Sequence, residues 1–167
     1  MPIVDRIVEH LKRHAAELTT IGDRRISREV ILPGRFKRVY VDEGHGRVFI
    51  GGKQLDEVAL VPRHWENWAA SRHIIRVVPA CEEIAGFLSV FLSTDYGREL
   101  ITRNTYGAVV DEITDWHVRA VPVPLLSARL VQSRINALEA NERRFEAYQL
   151  ERQALSIMDS EVLNHGS

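Results

Sequence analysis

The spacing of apolar residues along this chain changes between a helical period and short β-branched runs. Ile3, Ile7, Leu11 and Leu18 recur at helical intervals with charged residues on the other faces, which predicts a short amphipathic helix. Runs rich in valine and isoleucine follow, bounded by glycine or proline, a pattern typical of strands. The predicted strands are 36–41, 48–50, 58–61 and 74–78, with a glycine-permitted turn at 44–46.

The helical period returns in the second half of the chain. Residues 84–103 are predicted to be helical, and Ser93-Thr94-Asp95 offers a second N-cap inside that segment. The segment Val121-Pro122-Val123-Pro124 ends the mixed region and precedes one long uninterrupted helix, for which we expect the bounds Ser127 and Asp159. Such a helix would be about 50 Å long at 1.5 Å per residue.

The long helix carries an interrupted heptad seam. With Val131 taken as position a, apolar side chains occupy more of the a and d positions than polar ones. A domain of this size cannot bury a helix of this length entirely, so much of the stripe is expected to pair with another helix. Polar residues in the seam favour a specific dimer, because they fix register at some cost in stability. The apolar members are Val131, Leu138, Phe145, Tyr148, Leu155 and Val162, and the polar ones are Arg134, Asn141, Arg152 and Asp159.

These elements predict an α+β fold, with a mixed domain over residues 1–124 and a C-terminal coiled-coil helix over residues 125–167. With 167 residues, 45% of them hydrophobic, the chain can bury one substantial core. The single cysteine, Cys81, excludes an internal disulfide and a cysteine-based zinc site, and we expect it to be a small buried hydrophobe. The chain has no long apolar run and no export pattern, so we expect a cytoplasmic protein with no membrane partner.

The net charge of −1 conceals a basic region. Between Arg24 and Lys53, eight Lys or Arg residues stand against three acidic ones, an excess of five positive charges. Within it, Arg35–Tyr40 interleaves basic residues with aromatic ones, a combination suited to phosphate and base contacts in nucleic acid. A plain solvated strand face is the alternative interpretation. A second aromatic group, Trp65 to Trp68, is predicted to lie in a loop with one of its tryptophans in the core.

Motifs for catalysis or cofactor binding are sparse. The segment Gly51-Gly52-Lys53 lacks the other residues of a phosphate-binding loop, and a strand-end turn is the preferred interpretation. His10 and His14 are four residues apart on a predicted helix but lack the glutamate of the metalloprotease motif. The acidic group at 111–115 suits turns and helix caps. We therefore predict no catalytic residue, no metal and no cofactor, and an unrecognised enzyme is the weakest hypothesis.

Several short motifs, in their order along the chain, resemble the target-recognition domain of type I restriction–modification specificity subunits. Each motif alone is loose, and their collinear order argues against chance agreement. The helix that follows looks like the helical spacer of that family, and the resemblance spans about Pro33 to Ala154. The motifs are Gly34–Tyr40 with Phe49–Gly52, Ser71–Val77, Phe87–Leu92 with Tyr96-Gly97, Thr105–Ile113, and Val121–Leu126.

The resemblance implies a DNA-reading subunit without catalysis of its own. In this family each recognition domain reads one half of a split DNA target. The helices form an antiparallel coiled coil that sets the spacing between the halves and docks the methyltransferase subunits. For this chain the implied partners are double-stranded DNA, a methyltransferase (modification) subunit, and a second copy bound through the C-terminal helix.

Two groups of residues would carry this function. We expect Arg35, Lys37, Arg38 and Lys53 to contact phosphates, and Tyr40 and Tyr106 to approach the groove. The expected pairing residues of the helix are Val131, Leu138, Asn141, Phe145, Tyr148 and Leu155.

The chain departs from the family pattern in two respects. Full specificity subunits carry two recognition domains and two spacers, whereas 167 residues hold one of each, which predicts a dimerising half-length subunit or a fragment. The segment Lys53–Glu57 joins two predicted strands directly, where the family has a longer stretch with a small-residue turn. The alternative function is therefore an interaction module, or decoy, that occupies the methyltransferase docking surface without sequence-specific DNA binding. The DNA target sequence does not follow from one chain, since base choice depends on loop geometry.

Overall fold

The computed structural model of this chain describes residues 2–32, 39–41, 47–51, 58–70, 74–103, 113–125 and 131–163. Over these ranges the fold is α+β and ends in one long helix, which confirms the predicted fold class. The described helices are α1 (Ile3–His14), α2 (Glu82–Ser93), α3 (Asp95–Thr102), α4 (Asp115–Arg119) and α5 (Val131–Met158). The described strands are β1 (Leu18–Thr20), β2 (Ser27–Ile31), β3 (Val39–Val41), β4 (Val48–Gly51), β5 (Val58–Leu60), β6 (Trp68–Ala70), β7 (Ile74–Pro79) and β8 (Pro122–Pro124).

A four-stranded antiparallel sheet in the order β2-β7-β4-β5 lies at the centre of the domain. Successive side chains of a strand point to opposite faces, so Val48 and Ile50 enter the main core whereas Phe49 faces the other side. Helix α2 covers the first face, and α3 packs on α2 and contributes Leu100 and Ile101 to the same core. On the second face Phe49 and Val61 form a small cluster with Trp65 and Ile74. The main core includes Val30, Leu60, Ile75, Val77, Leu88, Leu92, Leu100, Ile101 and Val118.

Strands β1 and β8 form a separate antiparallel pair, which joins the chain after α1 to the chain after α4. Leu18 lies opposite Pro124 and Thr20 opposite Pro122, and the Leu125 amide extends the pairing by donating to the Glu17 carbonyl at 2.8 Å. The prediction that Leu18 belongs to the first helix is wrong, because α1 ends at His14 and the chain turns into β1. Pro122 and Pro124 fit this strand because the ladder bonds on either side of them are made by the Ile21 and Leu125 amides, which leaves both prolines at positions where no N–H is needed for pairing.

The described parts of the two predicted strands on either side of residues 44–46 have different partners. Strand β3 pairs with β6, whereas β4 pairs with β5 and β7. The first pair makes a two-stranded antiparallel ribbon apart from the central sheet, with Tyr40 opposite Ala69 and Val41 opposite Trp68.

The predicted second N-cap is present between α2 and α3. The Thr94 hydroxyl accepts a hydrogen bond from the Gly97 amide at 3.1 Å and donates to the Phe91 carbonyl at 2.6 Å. The prediction for Cys81 is wrong: this residue is exposed and sits immediately before the first turn of α2. The inward face of that helix begins only with Ile84 and Ala85.

Helix α5 packs across α2 at a position that only glycine permits. A Cβ added at Gly86 would lie 2.8 Å from the Arg134 carbonyl oxygen and 2.9 Å from Leu138 Cγ. Leu138 thereby reaches the main core, where it packs as a half-buried residue. The close approach of the two backbones fixes the start of the long helix on the domain.

We expect Gly86→Ala to destabilise the protein by about 1–3 kcal/mol, because the added methyl group overpacks this contact. Alanine favours a helix over glycine by about 1 kcal/mol, so a loss of stability would show that packing outweighs propensity. Urea denaturation measures the change. Ser93→Ala, at an exposed position of the same helix, is the control and should stay within about 0.5 kcal/mol. Equal or higher stability of Gly86→Ala would contradict this account.

Candidate DNA-binding and helix-pairing surfaces

The β3–β6 ribbon is the part of the predicted DNA-binding region that the structure describes. Tyr40 lies at the centre of β3, and its backbone alone is described. The basic segment Gly34–Arg38 precedes β3 directly in sequence. The predicted phosphate contacts Arg35, Lys37, Arg38 and Lys53, and the predicted groove residue Tyr106, lie outside the described residues.

Trp68 begins β6 and stands out on this ribbon, because 51% of it is exposed. Asn67, which precedes it, has a φ of 64°, in the left-handed region that non-glycine residues seldom adopt. Among the described residues other than glycine, it is the one with a positive φ. From the sequence, Trp65 and Trp68 are predicted to lie in a loop with one of them in the core. Trp65 is the half-buried one, next to Phe49, and Trp68 is in a strand.

Aromatic contacts join the ribbon to α5 through His64. The His64 ring stacks on Tyr148 with centroids 4.3 Å apart and planes 14° apart, and it lies parallel to Phe145 at 6.3 Å. His64 also meets Trp68 edge-on at 6.0 Å, and Trp68 stacks on Trp65 at 6.1 Å. The short 3₁₀ helix Arg63–Trp65, between β5 and β6, holds His64 between the two groups.

A buried hydrogen bond holds the middle of α5 against the edge of the sheet. Asn141 is 1% exposed, and its Nδ2 donates to the Val61 carbonyl at 3.2 Å. The Arg47 guanidinium donates to the same carbonyl, and the Val61 amide returns a bond to the Arg47 carbonyl at 2.9 Å. Arg47 also forms an ion pair with Glu82 of α2 at 3.0 Å. The contacts around the Val61 carbonyl therefore connect the sheet, α2 and α5.

The predicted pairing residues divide into two groups. Four of them, Leu138, Asn141, Phe145 and Tyr148, contact their own domain through the contacts given above. Leu155 is 57% exposed, and Val131 starts the helix with its backbone alone described. Pairing of these six residues with a second helix stays a prediction.

The distal part of α5 is solvent-exposed throughout. Every residue from Gln149 to Glu161 is exposed, including Leu150, Leu155, Ile157 and Met158. Nine residues separate Asn141 from Leu150, a rotation of about 180° at 3.6 residues per turn. The helix therefore buries one face near its start, and further along it exposes Leu150 and Ile157 on the opposite face and Leu155 on the same face as Asn141.

Arg76 is a buried cation that the sequence analysis did not single out. It lies in β7 opposite Phe49 of β4 and is 2% exposed. Its Nε and Nη1 atoms find no hydrogen-bond partner among the described residues. Burial lowers the pKa of the guanidinium, and the negative charge of Glu29 opposes that shift. Since arginine remains protonated in proteins, the sheet holds a buried positive charge on the face that carries Phe49 and Trp65.

The described residues contain no group of three or more His, Cys, Asp or Glu arranged to hold a metal ion. His10 and His14 have ring centroids 4.4 Å apart on α1, and His10 stacks on Tyr96 at 5.9 Å. Asp115 lies in the first turn of α4 and pairs with Arg119 at 3.6 Å, as expected for a helix-terminal carboxylate. No helix in the described parts of the chain combines the length and apolar character needed to cross a bilayer.

Comparison with protein-family models, with curated proteins and with solved structures gives no match to this chain.

We expect Asn141→Ala to destabilise the protein by about 1–3 kcal/mol, because it removes a buried hydrogen bond and leaves a small void. Asn136→Ala is the matched control, since Asn136 is exposed on the same helix and its amide oxygen accepts only from Gln132 in the described structure. Thermal unfolding followed by circular dichroism compares the two variants. A midpoint for Asn141→Ala equal to that of the control would show that the buried contact contributes nothing.

Proposed function

We propose that this protein is a DNA-binding specificity subunit of a type I restriction–modification system, with one recognition domain and one helical spacer in this chain. It reads half of a split DNA target, pairs with a second copy through its long helix and docks methyltransferase subunits. It has no catalytic activity of its own. Cytoplasmic localisation belongs to the same proposal.

One observation carries the proposal: α5 is anchored on the domain up to Tyr148, and the chain is exposed from Gln149 to Glu161, with large apolar side chains along this exposed part. An anchored helix that extends beyond its domain suits a spacer between two recognition domains. The collinear motifs and the basic segment preceding the β3–β6 ribbon add independent support from the sequence.

The pairing surface of the proposed dimer is the distal, opposite face of α5. Ala147 and Ala154 are seven residues apart, as are Leu150 and Ile157, which gives a second heptad stripe of small and large residues. In an antiparallel pair, Ala147 of one copy meets Leu150 of the other. Arg144 and Glu151, which flank the stripe, then lie beside each other across the pair with opposite charges. The anchored face, which includes Asn141, stays on its own domain.

Leu150→Asp should dissociate this dimer, because it places a charge at the centre of the apolar stripe. Gln149→Asp adds the same side chain one position along the helix, off the stripe, and should leave the dimer intact. Sedimentation velocity at tens of micromolar reports the mass of each protein. A monomeric unmodified protein, or equal dissociation by both variants, would refute the proposed surface.

DNA binding should depend steeply on salt. If Arg35, Lys37, Arg38 and Lys53 each neutralise one phosphate, the slope of log affinity against log salt is roughly −3 to −4 per protomer, at about 0.9 per contact. Lys37→Ala should reduce the magnitude of the slope by about one and weaken all sequences alike. Lys12→Ala, an exposed residue of α1 paired with Glu9, is the control for charge. Fluorescence anisotropy with a labelled duplex between 50 and 200 mM salt measures these slopes.

A decoy that occupies the methyltransferase docking surface without reading DNA is the second candidate. The short segment Lys53–Glu57 favours it, because the family has a longer stretch with a small-residue turn at this place. No binding at 50 mM salt, even with the methyltransferase subunit supplied, would refute the DNA-reading function and leave the decoy. A slope of log affinity against log salt of roughly −3 to −4 would favour the DNA-reading function over the decoy.

A further inference from the structure

Helix α1 carries two histidines on one exposed face. His10 and His14 are four residues apart, so they lie one above the other at 3.6 residues per turn, and both are exposed. His14 ends the helix, and the pair therefore spans its last turn. Imidazole nitrogens are common ligands of divalent transition metals, and two of them at this helical spacing can bind one ion. The pair has the accessibility and the spacing of a chelating site.

The two rings lie at a separation that fits a shared metal ion. Their centroids are 4.4 Å apart, and their planes are tilted by 46°. With metal–nitrogen bonds of about 2.0–2.1 Å, two imidazoles on one ion have centroids roughly 4.5–5 Å apart, depending on the angle at the metal. The rings therefore need to move little to share an ion.

Tyr96 of α3 supports one of the rings without blocking it. The His10 ring stacks on Tyr96 with centroids 5.9 Å apart and planes 11° apart. The nitrogen lone pair of an imidazole lies in the ring plane, so a contact on the ring face leaves it available. In the described part of the chain, no hydrogen bond or ion pair occupies a nitrogen of either ring. A ring held in this way loses less conformational entropy when it binds.

The position of the pair at the end of the helix also favours a cation. The carbonyl groups at a helix C-terminus carry a partial negative charge, and this charge acts within the last turn, where His14 lies. Lys12 and Arg13 belong to the same turn. The charge of Lys12 is offset by Glu9, with which it forms an ion pair at 3.1 Å.

We propose that His10 and His14 bind one divalent transition-metal ion, with Cu²⁺ preferred over Zn²⁺. Two protein ligands are fewer than a structural zinc site uses, so the remaining coordination positions are open to water. Sequence motifs predict no metal here, because the glutamate of the metalloprotease motif is missing. That glutamate serves hydrolysis, and the two histidines alone can bind the ion. The inference is independent of the proposed function.

The test is calorimetric titration of the full-length protein with copper(II) and with zinc. His10→Ala and His14→Ala should each weaken binding roughly tenfold or more, because a single imidazole cannot chelate. The matched control exchanges two neighbours, Lys12→His with His14→Lys. It keeps the composition but places the two histidines about 200° apart around the helix, so it should bind as weakly as the single variants. Circular dichroism checks that every variant is folded.

Nuclear magnetic resonance of the histidine rings identifies the ligands directly. Addition of zinc should shift the ring signals of two histidines together, and one of these two signals should be absent from the spectrum of each alanine variant. Equal affinity of the unmodified and exchanged proteins would show that the spacing does not matter and would overturn the inference. No binding at about 1 mM metal would overturn it as well. Neither outcome bears on DNA binding or on dimer formation.

Discussion

The Asn141 amide bonded to the Val61 carbonyl sets the position of the long helix, on which the rest of the arrangement depends. The carbonyl lies at the end of β5, where Arg47 also donates to it, so the helix is tied to the sheet rather than to a loose segment. The buried Oδ1 of Asn141 has no hydrogen-bond partner among the described residues, so the Nδ2 bond is what offsets part of the cost of burying this amide. A shift of α5 by one turn, about 5.4 Å, would break this bond and remove Leu138 from the space above Gly86. It would also separate Tyr148 from His64.

The parts of the fold that follow from local chemistry could be predicted from the sequence. Thr94 caps α3 because its hydroxyl and the Gly97 amide are three residues apart, and β7 is a β-branched run ended by a proline. The β1–β8 pair could not be predicted in this way. Its two strands lie about a hundred residues apart, each has three residues, and prolines normally argue against a strand. The separate pairing of β3 likewise depends on β6, a partner with no alternating pattern of its own.

What covers the candidate surfaces also could not be predicted from the sequence. The heptad seam of α5 predicts an interrupted apolar stripe, but periodicity does not say whether a domain or a second helix covers it. Its members Leu138, Asn141, Phe145 and Tyr148 contact their own domain, where the Asn141 bond fixes register within the chain. Which of the two tryptophans is buried depends on the sheet face beneath Trp65 and on the backbone at Asn67, and neither is visible in composition. The basic positions Arg35, Lys37 and Arg38 remain predictions from sequence.

A spacer helix fixes the distance between two DNA half-sites only if each recognition element is held rigidly on its helix. The ion pair between Arg63, in the short 3₁₀ helix before β6, and Glu142 of α5 has an N–O distance of 3.3 Å. Both side chains are exposed, and such pairs contribute little to stability. The stacking of His64 on Tyr148 and its edge contact with Trp68 form a second connection from the ribbon to α5. The buried Asn141 bond supports that connection one to two turns away. In the proposed dimer the anchored face thus sets the angle of each ribbon, and the distal face sets the separation, so the two faces of one helix carry two distinct geometric tasks.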